Sequence, residues 1–148
     1  TVVCVTGEGS IQMCIQELST CTQYHLPVKI INLNNQALGM VKQWQKLYYK
    51  GRLSASDKSL RKKDFIKAAE ADGFEFAKRL EHNADLKTIV REWLEFKGPA
   101  FLEVIIDPDA GVYPMVGPGL SYDQMITGDF IPTRTLTKAE DIDGSSMF

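Results

Sequence analysis

Long apolar runs are missing from the 148-residue sequence: no stretch approaches the roughly 18 residues a bilayer-spanning helix needs, so no membrane association is expected. Metal-binding side chains are scarce as well, with 2 histidines and 3 cysteines. Cys4, Cys14 and Cys21 show no CxxC spacing, and neither His25 nor His82 has a cysteine or carboxylate at ligand spacing, which argues against a zinc site or a disulfide framework. The cysteines read as reduced core thiols, His25 as a turn residue and His82 as a surface residue. An excess of either charge is also lacking, since 17 basic and 19 acidic residues leave a formal net charge of -2. That balance gives no general reason to expect nucleic acid or anionic lipid as partner. The most basic segment, 50–63 (KGRLSASDKSLRKK), has no interleaved aromatic residues on which bases could stack, and it reads as an exposed loop. Repeats and low-complexity tracts are absent from the sequence too.

What is present is enough apolar sequence for one ordinary core, at 44% hydrophobic and 24% charged residues. Thr1 to Thr6 (TVVCVT) is a β-branched run ending at Gly7, expected as a buried strand. Ser10 is placed to cap a helix in which Ile11, Cys14, Ile15, Leu18 and Cys21 form one apolar stripe. Pro27 breaks that helix, and Val28 to Leu33 (VKIINL) follows as a second strand, parallel to the first through a right-handed crossover. Met40, Val41, Trp44, Leu47 and Tyr48 are spaced as a further helix. Asp64 is expected to cap the next one (DFIKAAEAD), which Gly73 ends. Phe74 to Phe76 suggests a short strand, Leu86 to Leu94 an amphipathic helix, and Ala100 to Ile106 the last strand. Lys78, Arg79 and Glu81 read as a solvated face. The expected architecture is α/β, a parallel sheet flanked by helices, occupying residues 1–126 with a polar C-terminal tail at 127–148. The first strand has no preceding turn, so the sequence is expected to begin mid-fold and to self-associate through that strand.

Two short motifs fall at the carboxyl ends of neighbouring strands, where open α/β sheets bind ligands: Gly7-Glu8-Gly9-Ser10 and Asn34-Asn35. Glycines at 7 and 9 allow a bulky anion close to the backbone. An acid between them would repel phosphate unless a cation lay between, which points to a magnesium diphosphate site with Glu8 and the Asn35 side-chain oxygen as hard ligands. A dinucleotide fingerprint is not met, because Gln12 stands where a third glycine is needed, and no Lys-Ser or Lys-Thr follows Gly9 as a Walker loop requires. On spacing alone, a capped βα turn with an exposed acid fits as well.

The stretch GEGSIQMCIQELSTCTQYHLPVKIINLNNQALGMVKQWQ resembles the thiamin-diphosphate signature of acetolactate synthase (acetohydroxyacid synthase) catalytic subunits, which normally reads GDG…NN. The likeness resumes through DFIKAAEADGF, GPAFLEVIIDP and VYPMV and is weakest between Lys50 and Lys63. It implies the C-terminal part of a thiamin-diphosphate-binding fold, with Glu8, Asn35 and the backbone carbonyl of Ala37 holding Mg2+. It places Gly7, Gly9 and Ser10 against the diphosphate, Met40 beside the thiazolium ring and Trp44 at the pocket for a second 2-keto acid. Met40 and Trp44 share one helical stripe, so plain helix core is the competing expectation. Glu8 is one methylene longer than the family's aspartate.

The resemblance further implies that pyruvate condenses with a second 2-keto acid, with loss of CO2, in branched-chain amino-acid biosynthesis. The activating glutamate and an FAD-binding domain lie outside the matched portion, so no catalytic residue is assigned here and the portion alone is expected to be inactive. A homo-oligomer, a possible regulatory subunit, and a cytoplasmic or organellar location are also implied. Two other readings compete: a related thiamin-diphosphate decarboxylase or ligase, and a noncatalytic stand-alone α/β binding module.

Overall fold

The computed structural model describes residues 1–59 and 63–128. The chain divides after Ala110 into two units, 1–110 and 111–148. The expected boundary at 126 falls within the second unit, and all but the first two residues of the expected tail lie outside the described residues.

In the first unit, four strands form one parallel sheet in the order β1 (Val2–Gly7), β2 (Val28–Asn34), β4 (Ala100–Ile105) and β3 (Phe76–Leu80). Val2 pairs with Val28 and Gly7 with Leu33, while Lys29 pairs with Ala100 and Asn34 with Ile105. β2 and β4 are therefore central, and β4 reads as a nearly continuous apolar run because both of its faces are covered. Phe101 and Ile30 pack on one face with Ile11, Leu18, Phe65, Ala69 and Phe74. Ala100 and Leu102 pack on the other with Phe76, Leu80 and Trp93. The indole of Trp93, on α5 (Leu86–Glu95), also donates to the Ala100 carbonyl at 3.1 Å.

Several elements differ from the sequence expectation. β1 is an edge strand, not a buried one, with Val2 69% exposed. Its Cys4 is exposed, as is Cys14, and Cys21 is only partly buried; all three are free thiols. The expected helix from Ser10 is split into α1 (Glu8–Ile11), a 3-10 turn (Gln12–Cys14) and α2 (Glu17–Gln23). Gly7 stands at the N-cap with no side-chain cap, so Ser10 does not serve as one. A 3-10 turn has three residues per turn rather than 3.6, and the change of phase carries Cys14 outward. Ile11, Ile15, Leu18 and Cys21 still face the core.

α3 (Gly39–Tyr48) forms as expected, and α4 (Phe65–Ala71) begins at Asp64, whose carboxylate accepts from the Ile66 and Lys67 amides. α4 ends in a Schellman arrangement: the Phe74 amide reaches the Ala69 carbonyl, the Gly73 amide reaches Glu70, and Gly73 takes a φ of +90°. That cap occupies residues 72–74, so β3 starts at Phe76, later than expected. In the second unit, Ser121 and Gln124 form a capping box around the 3-10 turn Tyr122–Gln124, and Met115 bridges Ile126 antiparallel.

Candidate functional site

At the carboxyl ends of β1 and β2, two turns lie side by side because Gly7 pairs with Leu33. The first turn is tight enough to put the Glu8 side chain inside the protein: Glu8 is only 4% exposed, and its Oε1 meets no hydrogen-bond partner among the described residues. An ionised carboxylate is costly to bury without compensation, so this atom marks a position that a cation would satisfy. Gly9 is in close contact here, since a Cβ at that position would stand 2.5 Å from the Leu38 side chain. Ser10 is exposed, and its hydroxyl makes no hydrogen bond among the described residues.

The second turn is held by its own amides. Asn34 Oδ1 accepts from the Gln36 backbone at 2.9 Å, and Asn35 Oδ1 accepts from Ala37 at 3.1 Å. Gln36 adopts a left-handed φ of +57° between them. A segment from the expected exposed loop then pairs with this turn. The Leu38 amide donates to Ser56, the Lys58 amide donates to Gln36, each at 2.8 Å, and Ala37 bridges Asp57. Ser56 is fully buried and its hydroxyl bonds Gln45. The loop is therefore exposed over much of its length yet anchored at 56–58.

Beneath the second turn lies a buried charge. Glu103 is 1% exposed; its Oε1 accepts from the Asn34 amide at 2.7 Å and its Oε2 from Arg79 Nε at 2.6 Å. Arg79 continues to Asp64 at 3.1 Å. The Glu103 hydrogen bond is the main influence holding the guanidinium above its ordinary pKa, opposed by burial and helped by the charges of Glu103, Asp64 and Glu81. Asp64 is held below the usual carboxylate range, first by the Lys67 amide, with Arg79 and Lys67 adding to it against a cost of burial. Arg79 is exposed, as the sequence suggested, yet its guanidinium reaches inward to pair with the buried Glu103. Sequence reading also missed Glu103, whose one available signal was an acid interrupting the apolar run AFLEVII.

These groups open onto one cleft of about 780 Å³, lined by residues that include Glu8, Gln36, Lys58, Asp64, Arg79 and Glu103. Asn35 and Ala37 lie in the adjoining turn, and the Asn35 amide covers Gly39, where a Cβ would come within 2.7 Å of Nδ2. Met40 and Trp44 project from α3 at 56% and 38% exposure, while Gln43 of the same helix is buried. The helix-core expectation for the Met40 and Trp44 stripe is therefore overturned. Among the described residues, no three His, Cys, Asp or Glu side chains group as a metal site. One carboxylate, one amide oxygen and one backbone carbonyl make a sparse hard-donor set, suited to a cation that arrives with an anion completing its shell.

A family model described as thiamine pyrophosphate enzyme, C-terminal TPP binding domain, matches residues 1–104. The chain belongs to this family. Among curated members it is 49% identical over 129 residues to the acetolactate synthase isozyme 3 large subunit of Escherichia coli, covering 84% of this chain and 22% of that protein. It is 47% identical to the acetolactate synthase large subunit of Haemophilus influenzae, over 85% of this chain and 22% of the relative. The Pyropia yezoensis large subunit is 41% identical, with 84% and 21% covered. The chain therefore spans about a fifth of the length of the curated relatives it matches. Solved structures similar to it include benzoylformate decarboxylase from Polynucleobacter necessarius, with a TM-score of 0.67 and 27% identity over 75% of this chain and 20% of that one. A thiamine diphosphate-dependent 4-hydroxybenzoylformate decarboxylase from Rhodococcus jostii gives 0.63 and 28%, covering 72% and 20%. The expected parallel sheet of a TPP-binding domain is present, and no described helix is long and apolar enough to cross a membrane.

Proposed function

We propose that this chain supplies the metal and diphosphate half of the cofactor site in an acetolactate synthase catalytic subunit. The observation that carries the reading is the buried Glu8 carboxylate, its Oε1 unpartnered, at the carboxyl end of β1 and on the cleft. Glu8, the Asn35 side-chain oxygen and the Ala37 carbonyl would hold Mg2+. Backbone amides at Gly7 and Gly9 and the exposed Ser10 hydroxyl would hold diphosphate oxygens. Thiamin diphosphate, when bound, supplies the electron sink for decarboxylating a 2-keto acid. The part of this chain in that chemistry is to fix the cofactor's anionic end and to offer α3 as an apolar wall. Met40 would face the thiazolium ring and Trp44 the second 2-keto acid, consistent with their exposure despite apolar character.

The intact protein, on this reading, condenses pyruvate with a second 2-keto acid in branched-chain amino-acid biosynthesis. FAD binding, a homo-oligomer with a regulatory subunit, and a cytoplasmic or organellar location follow from the same resemblance. The diphosphate-binding portion extends to about residue 126 by that resemblance. Greater identity to acetolactate synthases than to the decarboxylases named above favours this over a simple decarboxylase.

Thermal unfolding of the full-length polypeptide carrying this sequence tests the site. A ligand present at about 100 times its dissociation constant adds about 2.7 kcal/mol to the folded state. Stabilisation is expected only with thiamin diphosphate and Mg2+ together, and Glu8→Asp is expected to retain it. An unchanged transition with both ligands present sinks the proposal. For the reaction itself, acetolactate formed from pyruvate supports it and aldehyde as sole product opposes it.

A further inference from the structure

Lys58 belongs to a loop that has no sequence motif of its own, yet its position is fixed. Its backbone amide bonds Gln36, Asp57 on one side bridges Ala37, and Asp57 Oδ1 accepts from the Ser59 amide at 2.9 Å. This pairing turns the partly buried Lys58 side chain toward the first glycine turn: Nζ lies 3.8 Å from where a Cβ on Gly9 would stand. It opens onto the same cleft as Glu8 and Gln36.

We propose that Lys58 contacts the diphosphate directly, supplying a protein cation to the anion held at residues 7–10; this rests on the thiamin-diphosphate reading given above. The charge arrangement supports it. A diphosphate carries more negative charge than one divalent ion neutralises, and Glu8 adds a carboxylate to the same site. Arg79 is committed to Glu103 and Asp64. The Lys58 ammonium, by contrast, makes no hydrogen bond or ion pair among the described residues. A partly buried ammonium without a partner is poised to gain from an arriving anion, and its three rotatable donors suit phosphate oxygens as a point charge. Gly9 contributes from the other side, since a side chain there would crowd Leu38 and stand close to the ammonium.

The test measures binding of inorganic diphosphate with Mg2+, and of thiamin diphosphate with Mg2+, to the full-length polypeptide by calorimetry. The variants are Lys58→Gln, Lys58→Arg and, as a charge control on α5, Lys87→Gln. Lys58→Gln is expected to weaken both ligands about tenfold, the size of one charge-assisted hydrogen bond at a partly exposed site, with a shallower salt dependence. Lys58→Arg and Lys87→Gln should stay near the parent. Circular dichroism of Lys58→Gln should match the parent, because the side chain holds nothing else in place. If Lys58→Gln binds both ligands as tightly as the parent, the Lys58 contact is overturned and the thiamin-diphosphate reading stands. If the parent binds neither ligand, both are overturned.

Discussion

Asn34 donates its side-chain amide to Glu103 at 2.7 Å and accepts the Gln36 amide at 2.9 Å, so one residue ties a buried carboxylate on β4 to the turn that carries Asn35 and Ala37. Removing Glu103 strands the Asn34 amide in the interior and leaves Arg79 paired with Asp64. Glu103→Ala is expected to cost about 3 kcal/mol in urea unfolding, and Glu103→Gln about half of that because the amide oxygen can still accept from Asn34. Equal losses in the two variants would show that the charge, rather than the hydrogen bond, matters.

Glu8 should behave in the opposite sense. Its buried Oε1 has no partner among the described residues, so Glu8→Gln relieves a charge in the metal-free protein and is expected to raise stability by about 1 kcal/mol. The same variant should lose any stabilisation by Mg2+ with thiamin diphosphate. Thermal scans with and without both ligands read the two effects together; a destabilised metal-free variant would contradict the unpartnered carboxylate.

At Gly9, the added methyl of Gly9→Ala meets Leu38 Cδ2, the far end of a flexible and partly exposed side chain. The fold should therefore tolerate it, losing no more than about 1 kcal/mol, while diphosphate binding falls. Gly9→Ala combined with Leu38→Ala should recover the stability but not the binding. Chemical denaturation and calorimetry separate these outcomes.

Asp64 gives a pH signature. Its carboxyl is depressed in the folded state, so its contribution is present above the unfolded value of about 3.9 and is lost as pH falls through the folded value. Asp64→Ala removes an N-cap worth about 1 kcal/mol at pH 7, and the gap to the parent should narrow toward pH 3. A gap that stays constant from pH 7 to pH 3 would assign the loss to something other than the carboxylate.

Trp93 anchors the opposite face of the sheet. Trp93→Phe removes the hydrogen bond to Ala100 and should cost about 1–2 kcal/mol, whereas Trp93→Ala also opens a cavity and should cost about 3–5 kcal/mol, measured by urea unfolding.

The sequence made β2, β4 and the two turns legible because apolar runs that stop at Asn34-Asn35 or at Asp107-Pro108, and the glycines at 7 and 9, carry a local signal. β1 has the same β-branched character but lies at an edge, and composition does not report how many neighbours a strand acquires. Glu103 and Arg79 were hidden for a related reason: strand alternation assigns a lone charge to solvent, and only the neighbouring strand reveals its partner. Lys58 sits in a stretch without periodicity, so nothing short of the 56–58 pairing could locate it. The helical spacing of Met40 and Trp44 was correct, yet periodicity defines a stripe without saying what lies opposite it.

That stripe leaves α3 inverted, with Gln43 inside and Met40 and Trp44 outside. A selection that scores only folding of this chain would therefore feel Met40 weakly, and Trp44 chiefly through its ring contact with Tyr48. Libraries varying Met40 would therefore report on recognition with little interference from stability, whereas at Trp44 the two readouts must be separated.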